Sequence, residues 1–464
     1  MIKFGTDGWR AIIAEEFTFE NVKIVSQAIA DYLKENKKTK SKRVVIGYDR
    51  RFLSKEFART VGCVLAANKI KVTLSNRDVP TPVVSLQCQN KKYDLGVIIT
   101  ASHNPAKFNG LKIKTPLGAS ADKSLTNRVE SLLGKSKLKS MDIVLAKKKN
   151  LLVVKDLTAD YMDFLKKFIN IKSIKKLKLK VLVDVMYGSG DNFVERILCR
   201  SNIKIDYLHN ENNPSFGGIR PEPIVSSLGE LIATMKKGKY DLAIVLDGDA
   251  DRIAMVDGKG NYINAQVILP LLAIHMIKNR KAKGGIAKTV VGSNVIDKVA
   301  LCLGVACYET PIGFKYISNL FEDNLVCIGG EEAGGIGFKG YIPERDGSAA
   351  FLILLEMMAY EGKKFNTLLA NFYKEYGRYY YSRTSIPVKS IKKSLSDMKL
   401  PTSLCGKKIE RVNTLDGIKL IAKDCWLMFR KSGTEPIVRV YAESKSKKEA
   451  EEFVALGKKK VYAL

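Results

Sequence analysis

Residues 93–114 have the sequence YDLGVIITASHNPAKFNGLKIK, and this stretch decides the fold. The apolar run at residues 95–99 predicts a buried strand. The loop after it carries Ser102 and is stiffened by Pro105, because a proline restricts the residue before it to extended geometry. A serine hydroxyl therefore lies just past the carboxyl end of a strand, where open α/β sheets bind ligands. Taken alone, the stretch is better interpreted as a loop serine beside a surface histidine, so the rest of the chain must decide.

Strands and helices alternate on both sides of this stretch. Apolar spacing predicts helices over residues 19–33, 56–67, 158–169 and 228–235, and short apolar runs predict strands over residues 44–48, 71–74, 181–185, 242–246, 289–291 and 324–328. The lysine-rich residues 134–150 are typical of a connector. This alternation favours α/β units built on mostly parallel sheets.

An internal repeat indicates more than one such unit. The tetrapeptide Lys-Tyr-Asp-Leu occurs at residues 92–95 and again at residues 239–242, each time at the start of a strand that leads into a polar loop. A third predicted strand, at residues 324–328, ends in a loop of glycine and glutamate. We therefore expect three related α/β domains.

The pattern changes near residue 375. Four short strand signals and a helix near residues 447–456 predict a smaller α+β domain there. At roughly 100–200 residues per domain, a chain of this length accommodates four domains. We place them at residues 1–147, 148–250, 251–370 and 371–464.

The composition excludes several classes of protein. The net charge of +30 comes mostly from lysines spread along the whole chain, which indicates a solvated basic surface rather than a nucleic-acid site and would steer an anionic substrate. The eight cysteines form no CxxC pair, so buried free thiols are expected instead of disulfides or zinc ligands. The chain opens without an apolar leader, and its longest apolar stretches are too short or too polar to span a bilayer. We expect a cytoplasmic protein with no membrane or nucleic-acid partner.

Three alternating aspartates, Asp247, Asp249 and Asp251, follow the strand at residues 242–246. Alternate side chains project to one side of an extended backbone, so the three carboxylates would repel one another without a cation. Magnesium prefers such oxygen ligands. A calcium loop is excluded because Arg252 replaces the glycine it needs at its sixth position. A solvated acidic turn is the weaker alternative.

A second loop offers phosphate-binding groups. Arg430, Ser432, Gly433 and Thr434 lie together, with Arg439 on the strand that follows. Charged donors, hydroxyls and a flexible glycine suit a phosphate group. An ordinary hairpin turn would explain the same residues if no other loop pointed to a ligand.

A third loop, Gly329 to Gly335, carries Glu331 and Glu332 between glycines. Carboxylates accept hydrogen bonds from paired sugar hydroxyls, and glycines let a ligand approach closely. Serine is a poor nucleophile unless activated, and the three histidines provide no evident Ser-His-Asp triad. Ser102 near a magnesium site therefore favours phosphoryl transfer over acyl transfer.

The four loops together resemble the α-D-phosphohexomutases, the family of phosphoglucomutase and phosphomannomutase. Residues 100–105, 247–252, 330–334 and 430–436 are similar, in this order, to its phosphoserine, magnesium, sugar-binding and phosphate-binding loops. The resemblance implies an α/β fold of four domains around a central cleft, three of them related and mostly parallel, with a smaller C-terminal α+β domain. It also implies an enzyme of the isomerase class that works on small sugar phosphates as a monomer or homodimer.

The resemblance further implies a mechanism. Phosphorylated Ser102 would donate its phosphoryl group to a hexose 1- or 6-phosphate, and the bound hexose 1,6-bisphosphate would turn round and return its other phosphate. One Mg²⁺ would be held by a phosphoserine oxygen and by Asp247, Asp249 and Asp251. The remaining implied site residues are Arg10, His103 and Lys112 around the serine, with Lys112 or His103 managing protons; Glu331 as the sugar reader; Arg252 beside the metal; and Lys288 and Lys315, approaching the ligand from the third domain.

Two residues depart from the family pattern. Ala333 stands where the sugar loop usually has a serine, and Tyr341 stands where a histidine is common. Glucose and mannose phosphates are the first substrates we expect. A phosphoglucosamine mutase and a sugar-bisphosphate synthase on the same scaffold are the enzyme alternatives. A non-catalytic sugar-phosphate sensor or a nucleic-acid binder is the alternative from another class.

Overall fold

The computed structural model describes residues 2–35, 42–91, 93–190, 192–387, 394–432 and 437–464. These residues form four successive units, each built on its own sheet. Three of the sheets are mainly parallel, and the fourth is antiparallel.

The first unit holds β1 (Trp9–Ile12), α1 (Phe19–Glu35), β2 (Arg43–Tyr48), α2 (Ser54–Ala67), β3 (Lys71–Ser75), α3 (Thr81–Lys91), β4 (Leu95–Ile99), β5 (Phe108–Lys114), α4 (Lys123–Ser131), α5 (Ile143–Lys148) and β6 (Leu152–Lys155). Its strand order is β1-β5-β4-β2-β3-β6, with β4, β2, β3 and β6 parallel. Every residue of β4 is buried, as expected for a strand covered by helices on both faces. The serine loop follows this strand.

The second unit holds α6 (Thr158–Phe168), α7 (Ile171–Ile174), β7 (Leu179–Asp184), α8 (Phe193–Ile197), β8 (Ile203–Leu208), α9 (Gly229–Lys236), β9 (Leu242–Leu246), β10 (Ile253–Asp257) and β11 (Tyr262–Ile263). Its strand order is β11-β10-β9-β7-β8, with β9, β7 and β8 parallel. The aspartate loop connects β9 to β10. A long loop with two 3-10 turns connects β8 to α9.

The third unit holds α10 (Ala265–Ile274), β12 (Gly285–Thr289), α11 (Asn294–Cys302), β13 (Cys307–Thr310), α12 (Phe314–Glu322), β14 (Val326–Gly330), β15 (Ile336–Phe338), α13 (Gly347–Glu361) and α14 (Phe365–Tyr376). The strand order is β13-β12-β14-β15. Among the described strands of this sheet, β13, β12 and β14 are parallel, and β15 pairs antiparallel with β14. The glycine-glutamate loop connects β14 to β15.

The fourth unit holds β16 (Tyr380–Pro387), β17 (Ser403–Leu404), β18 (Lys407–Asn413), β19 (Ile418–Ala422), β20 (Cys425–Lys431), β21 (Ile437–Ser444) and α15 (Lys447–Tyr462). Neighbouring strands pair antiparallel in the order β16-β21-β20-β19-β18-β17, and α15 packs on the sheet. The fold class predicted from the sequence is confirmed.

Sheet pairing moves two of the predicted domain boundaries. Strand β6 pairs with β3, so the first unit extends past residue 147. Strand β10 pairs with β9, so the second unit extends past residue 250. Strand pairing is a long-range property, and local composition does not contain it. The predicted connector at residues 134–150 also contains α5, which begins after Asp142 caps the N–H groups of Val144 and Leu145.

The strand predicted at residues 289–291 is wrong by several positions, because β12 covers Gly285–Thr289. Val290 and Val291 instead pack in a buried cluster with Trp426, Met428 and Tyr441 of the fourth unit. Their apolar character serves contact between two units. Across the described part of the chain, no helix is long and apolar enough to cross a lipid bilayer.

Candidate active site

Ser102 lies directly after β4 in an unusual backbone conformation. Its φ is +51°, a left-handed value that few residues other than glycine adopt. Its hydroxyl donates a hydrogen bond to Oδ2 of Asp247 at 2.9 Å and lies 3.3 Å from Nδ1 of His103. Its backbone N–H donates to Oγ1 of Thr100 at 2.8 Å. The serine of the first unit is therefore held against a carboxylate of the second.

Arg51, which the sequence analysis did not single out, holds the serine loop in shape. Its side chain is fully buried and lies 3.2 Å from a carboxylate oxygen of Asp49. The guanidinium donates to the backbone carbonyls of Ser102, Asn104, Pro105 and Phe108 at 2.5, 2.6, 2.9 and 3.0 Å. One side chain thus fixes four peptide groups around the serine. The only signal in the sequence was its position just after a strand.

The aspartate loop packs directly on the serine loop. Asp247, Asp249 and Asp251 are all fully buried, and one carboxylate oxygen from each lies within 4.8 Å of the other two. A Cβ at Gly248 would lie 2.5 Å from the carbonyl oxygen of Ser102, so only glycine lets the two loops approach this closely.

The three carboxylates fit a divalent cation. Burial raises the pKa of Asp247 well above its usual range, and repulsion from Asp251 and Asp249 raises it further. Among the described residues, Oδ1 of Asp249 and Oδ1 of Asp251 are buried without a hydrogen-bond partner. Buried oxygens of this kind are costly unless a cation neutralises them. The donor set is made of hard oxygens, which suits magnesium.

Lys112 lies between these carboxylates and the N-terminal loop. Its Nζ is 2.8 Å from Asp249, 3.1 Å from Asp251 and 2.8 Å from Asp7. Burial alone would lower the pKa of Lys112, but the three carboxylates raise it above its ordinary value, so the amine is charged. Arg10, also predicted for this site, donates to Oδ1 of Asn104 at 2.8 Å.

His103 faces the cleft beside the serine. Burial lowers its pKa well below its ordinary value, and the positive charges of Arg252, Arg10, Arg220 and Arg439 lower it further. The imidazole is therefore neutral at physiological pH, so one ring nitrogen can accept a hydrogen bond.

Arg345 joins the aspartate loop to the glycine-glutamate loop. Its guanidinium lies 2.9 Å from Asp251, 3.0 Å from Glu331 and 2.8 Å from Asp7, and its Nε is 3.1 Å from Glu344. Sequence reasoning missed both Arg345 and Asp7. A lone arginine in the segment that follows the glycine-rich loop carries no local pattern that marks it.

The four units enclose a cleft of about 670 Å³, within the size range of small-molecule sites. Its walls combine Arg10 and His103 of the first unit, Arg252 of the second, and Lys315, Glu331, Glu332, Ala333 and Arg345 of the third, with Arg430, Ser432 and Arg439 of the fourth. The buried Ser102 and aspartates lie behind this wall. The structure therefore brings most of the predicted site residues to one cleft.

The structure describes part of the loop at residues 430–436, which the sequence predicted to bind phosphate. Nε of Arg430 donates to Asp416 at 2.8 Å, and the backbone N–H of Ser432 donates to the carbonyl of Ile437 at 2.9 Å. Gly433 and Thr434, both predicted to bind phosphate, lie outside the described residues.

Lys288 does not reach the cleft, contrary to the prediction. Its Nζ is buried 2.5 Å from Asp297 and within 3.9 Å of Glu309, on the side of the third unit that faces the fourth. Its position on a strand directs it there, and the sequence alone could not distinguish the two faces. Tyr341 is also in the core, where its hydroxyl donates to Asp346 at 2.6 Å. Of the two departures from the family pattern, only Ala333 is in the cleft wall.

Comparison with known proteins agrees with this architecture. Family models for phosphoglucomutase/phosphomannomutase match in order: alpha/beta/alpha domain I at residues 1–140, domain II at 159–260, domain III at 264–376 and the C-terminal domain at 384–456. A phosphoglucomutase/phosphomannomutase of Thermococcus kodakarensis is 30% identical over 98% of this chain and 97% of its own. A phosphoglucosamine/phosphogalactosamine mutase of Sulfurisphaera tokodaii is 30% identical over 97% of each chain.

The solved structures give the same result. The crystal structure of a presumed phosphomannomutase from Thermus thermophilus matches with a TM-score of 0.87 and 29% identity, over 99% of this chain and 98% of that one. The chain therefore belongs to the phosphoglucomutase/phosphomannomutase family, as its four loops predicted, and it is a hexose-phosphate mutase by class.

Proposed function

We propose that the protein is a magnesium-dependent phosphohexomutase that interconverts hexose 1-phosphates and hexose 6-phosphates through a phosphorylated Ser102. One observation carries this proposal. The Ser102 hydroxyl lies 2.9 Å from a buried aspartate triad, directly behind a cleft whose walls are rich in arginine.

The chain's own residues would divide the work as follows. Asp247, Asp249 and Asp251 would hold Mg²⁺, which supplies stabilisation of the negative charge that develops on the transferring phosphoryl group. Arg51 fixes the serine loop, so that the Ser102 oxygen stays in line with its acceptor. Arg10, beside the loop, is suited to bind the phosphate that Ser102 carries.

The sugar and its other phosphate would occupy the cleft. Glu331 would accept hydrogen bonds from sugar hydroxyls while Arg345 holds its carboxylate in place. Arg430, Ser432, Gly433, Thr434 and Arg439 would bind the phosphate that is not being transferred, with Lys315 and Arg252 contributing charge from two other walls.

The proposed reaction would consist of two phosphoryl transfers. The bond between phosphorus and the Ser102 oxygen breaks as a sugar hydroxyl oxygen bonds to phosphorus, and the hydroxyl proton leaves to a base. The freed Ser102 oxygen would take up a proton, and the hexose 1,6-bisphosphate would then turn round. In the second half, the bond between phosphorus and the other sugar oxygen would break as the Ser102 oxygen bonds to that phosphorus; the serine hydroxyl proton would leave to the base, and the released sugar oxygen would take up a proton. Nδ1 of His103, 3.3 Å from the serine oxygen, is placed to hold the proton in transit, whereas the charged Lys112 is placed to balance the aspartates.

Phosphate mapping tests the serine directly. We expect the purified protein, after incubation with hexose bisphosphate, to carry one phosphate on Ser102 that phosphatase treatment removes, as measured by intact mass and peptide mapping. The Ser102→Ala variant should fold normally and lose several orders of magnitude in turnover. Ser124→Ala, at an exposed serine of the same unit, is the matched control and should keep full activity. Near-wild-type activity in Ser102→Ala would refute the phosphoserine mechanism.

Relatives named as phosphoglucomutases support glucose and mannose phosphates as first substrates, whereas the Sulfurisphaera relative favours glucosamine phosphate. Turnover of glucose, mannose and glucosamine 1-phosphates decides between them. Repeating each assay without added bisphosphate but with a separate phosphoryl donor separates a mutase from a bisphosphate synthase, because only a synthase transfers the donor's phosphoryl group into bisphosphate that accumulates as product.

A further inference from the structure

One carboxylate in the cleft is out of place for a phosphate-binding site. Glu222 lies in the cleft wall among Arg220, Arg252 and Arg383, and only 3% of it is exposed. Burial alone would raise its pKa, but Arg383, Arg220 and Arg252 lower it below the usual value, so the side chain is an anion. An anion there repels an incoming phosphate, and it therefore needs another role.

The contacts of Glu222 run between units. Its Oε1 accepts a hydrogen bond from Nη2 of Arg383 at 2.7 Å, and its Oε2 lies 3.0 Å from Nε of Arg220. Arg383 belongs to β16 of the fourth unit, whereas Glu222 and Arg220 belong to the β8–α9 loop of the second. Nε of Arg220 also donates to the carbonyl of His103 in the serine loop at 3.2 Å. Through Arg383 and Arg220, this carboxylate therefore connects three of the four units around the cleft.

The loop that presents Glu222 is stiff. Pro221 and Pro223 flank the residue and fix two backbone angles. The N–H of Glu222 donates to the carbonyl of Arg220 at 2.7 Å. The hydroxyl of Tyr262, at the edge of the sheet of the second unit, donates to the carbonyl of Pro223 at 2.7 Å. A rigid backbone of this kind suits a side chain that must hold Arg383 in a fixed position.

We propose that Glu222 is a positioning residue that clasps the fourth unit to the second across the cleft, and that this clasp retains the bisphosphate intermediate while it turns round. The inference rests on the proposed function, because only a reorienting intermediate needs such retention. During the turn the ligand must give up its contacts with the sugar loop and phosphate loop. An intermediate that escapes then leaves Ser102 without a phosphoryl group.

The rate at which the intermediate dissociates tests the clasp in the absence of phosphoryl transfer. In a Ser102→Ala background, release of glucose 1,6-bisphosphate is measured by stopped-flow fluorescence with and without Glu222→Gln. We expect release to be at least about tenfold faster when the carboxylate is removed, because breaking a partly buried ion pair acts mainly on dissociation. Glu211→Gln, at an exposed glutamate of the same loop, makes the same change in charge and should leave release unchanged. Unchanged release in the Glu222 variant would overturn the clasp.

Turnover gives a second and independent measurement. With Ser102 intact, Glu222→Gln should depend on added bisphosphate and release more of it per turnover, while its KM for hexose 1-phosphate is not raised. Adding Arg383→Gln to Glu222→Gln should cause no further loss of retention, because both substitutions break the same contact between Glu222 and Arg383. If Glu222 merely neutralised its arginines, its removal would tighten binding and slow release, which would contradict the proposal.

Failure of the clasp differs from failure of the proposed function. A wild-type protein that shows no mutase turnover, together with a Ser102→Ala protein that does not bind the bisphosphate, would refute the function itself and this inference with it. Normal wild-type turnover, together with equal release of the bisphosphate from Ser102→Ala with and without Glu222→Gln, would refute the clasp alone.

Discussion

Replacement of Arg51 tests whether a single buried side chain shapes the loop that carries Ser102. In Arg51→Met, the buried carboxylate of Asp49 loses its cationic partner, which costs about 3–5 kcal/mol when one member of a buried pair is removed. Four backbone carbonyls lose donors as well, at about 1–3 kcal/mol for each that stays buried and unsatisfied. A native domain is stable by only about 5–15 kcal/mol. We therefore expect the loop to open toward water before the whole unit unfolds.

A lysine at the same position separates charge from geometry. Arg51→Lys keeps a positive charge near Asp49, but one ammonium group cannot reach four carbonyls that a planar guanidinium spans. The lysine variant should therefore lose less thermal stability than Arg51→Met and still lose turnover. A displacement of the serine by 1 Å would cost about 100-fold in rate, so kcat should fall by about that factor in both variants.

Three measurements give the answer: thermal unfolding, kcat with hexose 1-phosphate, and phosphate incorporation at Ser102 by intact mass. Arg59→Lys, at an exposed arginine of α2, is the matched control and should change none of them. We expect slow phosphate incorporation in Arg51→Lys, at a stability between those of Arg51→Met and the wild type. A lysine variant with the kcat of the wild type would show that the four carbonyl contacts do not shape the site.

Three further changes test other parts of the structure. Gly248→Ala would place a Cβ 2.5 Å from the Ser102 carbonyl oxygen, so kcat should fall by about 100-fold or more while the melting temperature changes little. Tyr341→Phe removes the hydrogen bond to Asp346; unfolding measurements should show a loss of about 1–3 kcal/mol, and the ratio of kcat/KM values among sugars should stay constant. The third change is Glu356→Gln. Burial raises the pKa of Glu356, but hydrogen bonds from Arg280 and His275 lower it by more, from 4.5 to about 2. Its contribution to stability is therefore present above pH 4.5 and lost as the pH falls toward 2, so the difference in melting temperature between the wild type and Glu356→Gln should shrink over that interval.

The sequence predicted the residues that follow strands. Ser102, the three aspartates and Glu331 each come after a run of apolar residues, and the carboxyl ends of strands are where α/β sheets bind ligands. Because this rule uses only local periodicity and chain order, it located the loops before any contact was known. Helix and strand positions near these loops were accurate for the same reason.

The residues that hold those loops together were not predictable. Arg51 reaches carbonyls about fifty positions away in sequence, and Arg345 reaches Asp7 at the opposite end of the chain. Neither contact leaves a periodic trace, because long-range pairing depends on how the units pack. Lys288 failed for the opposite reason. The strand that carries it was predicted at residues 289–291 but covers Gly285–Thr289, and the Lys288 side chain points toward Asp297 instead of the cleft.

The carboxylates of the aspartate loop are already oriented by cations of the chain itself. Oδ2 of Asp249 accepts from Lys112 and Thr81, and Oδ2 of Asp251 is contacted by Lys112 and Arg345. The opposite oxygens, Oδ1 of both residues, have no hydrogen-bond partner within the described part of the chain. Asp249 and Asp251 therefore each have one oxygen held by hydrogen bonds or ion pairs of the protein, and a second oxygen without a hydrogen bond, which in Asp251 lies 3.8 Å from Nε of Arg252. In the proposed magnesium site these second oxygens would hold the ion without displacing Lys112, so the amine would remain in place to balance the charge of the aspartates.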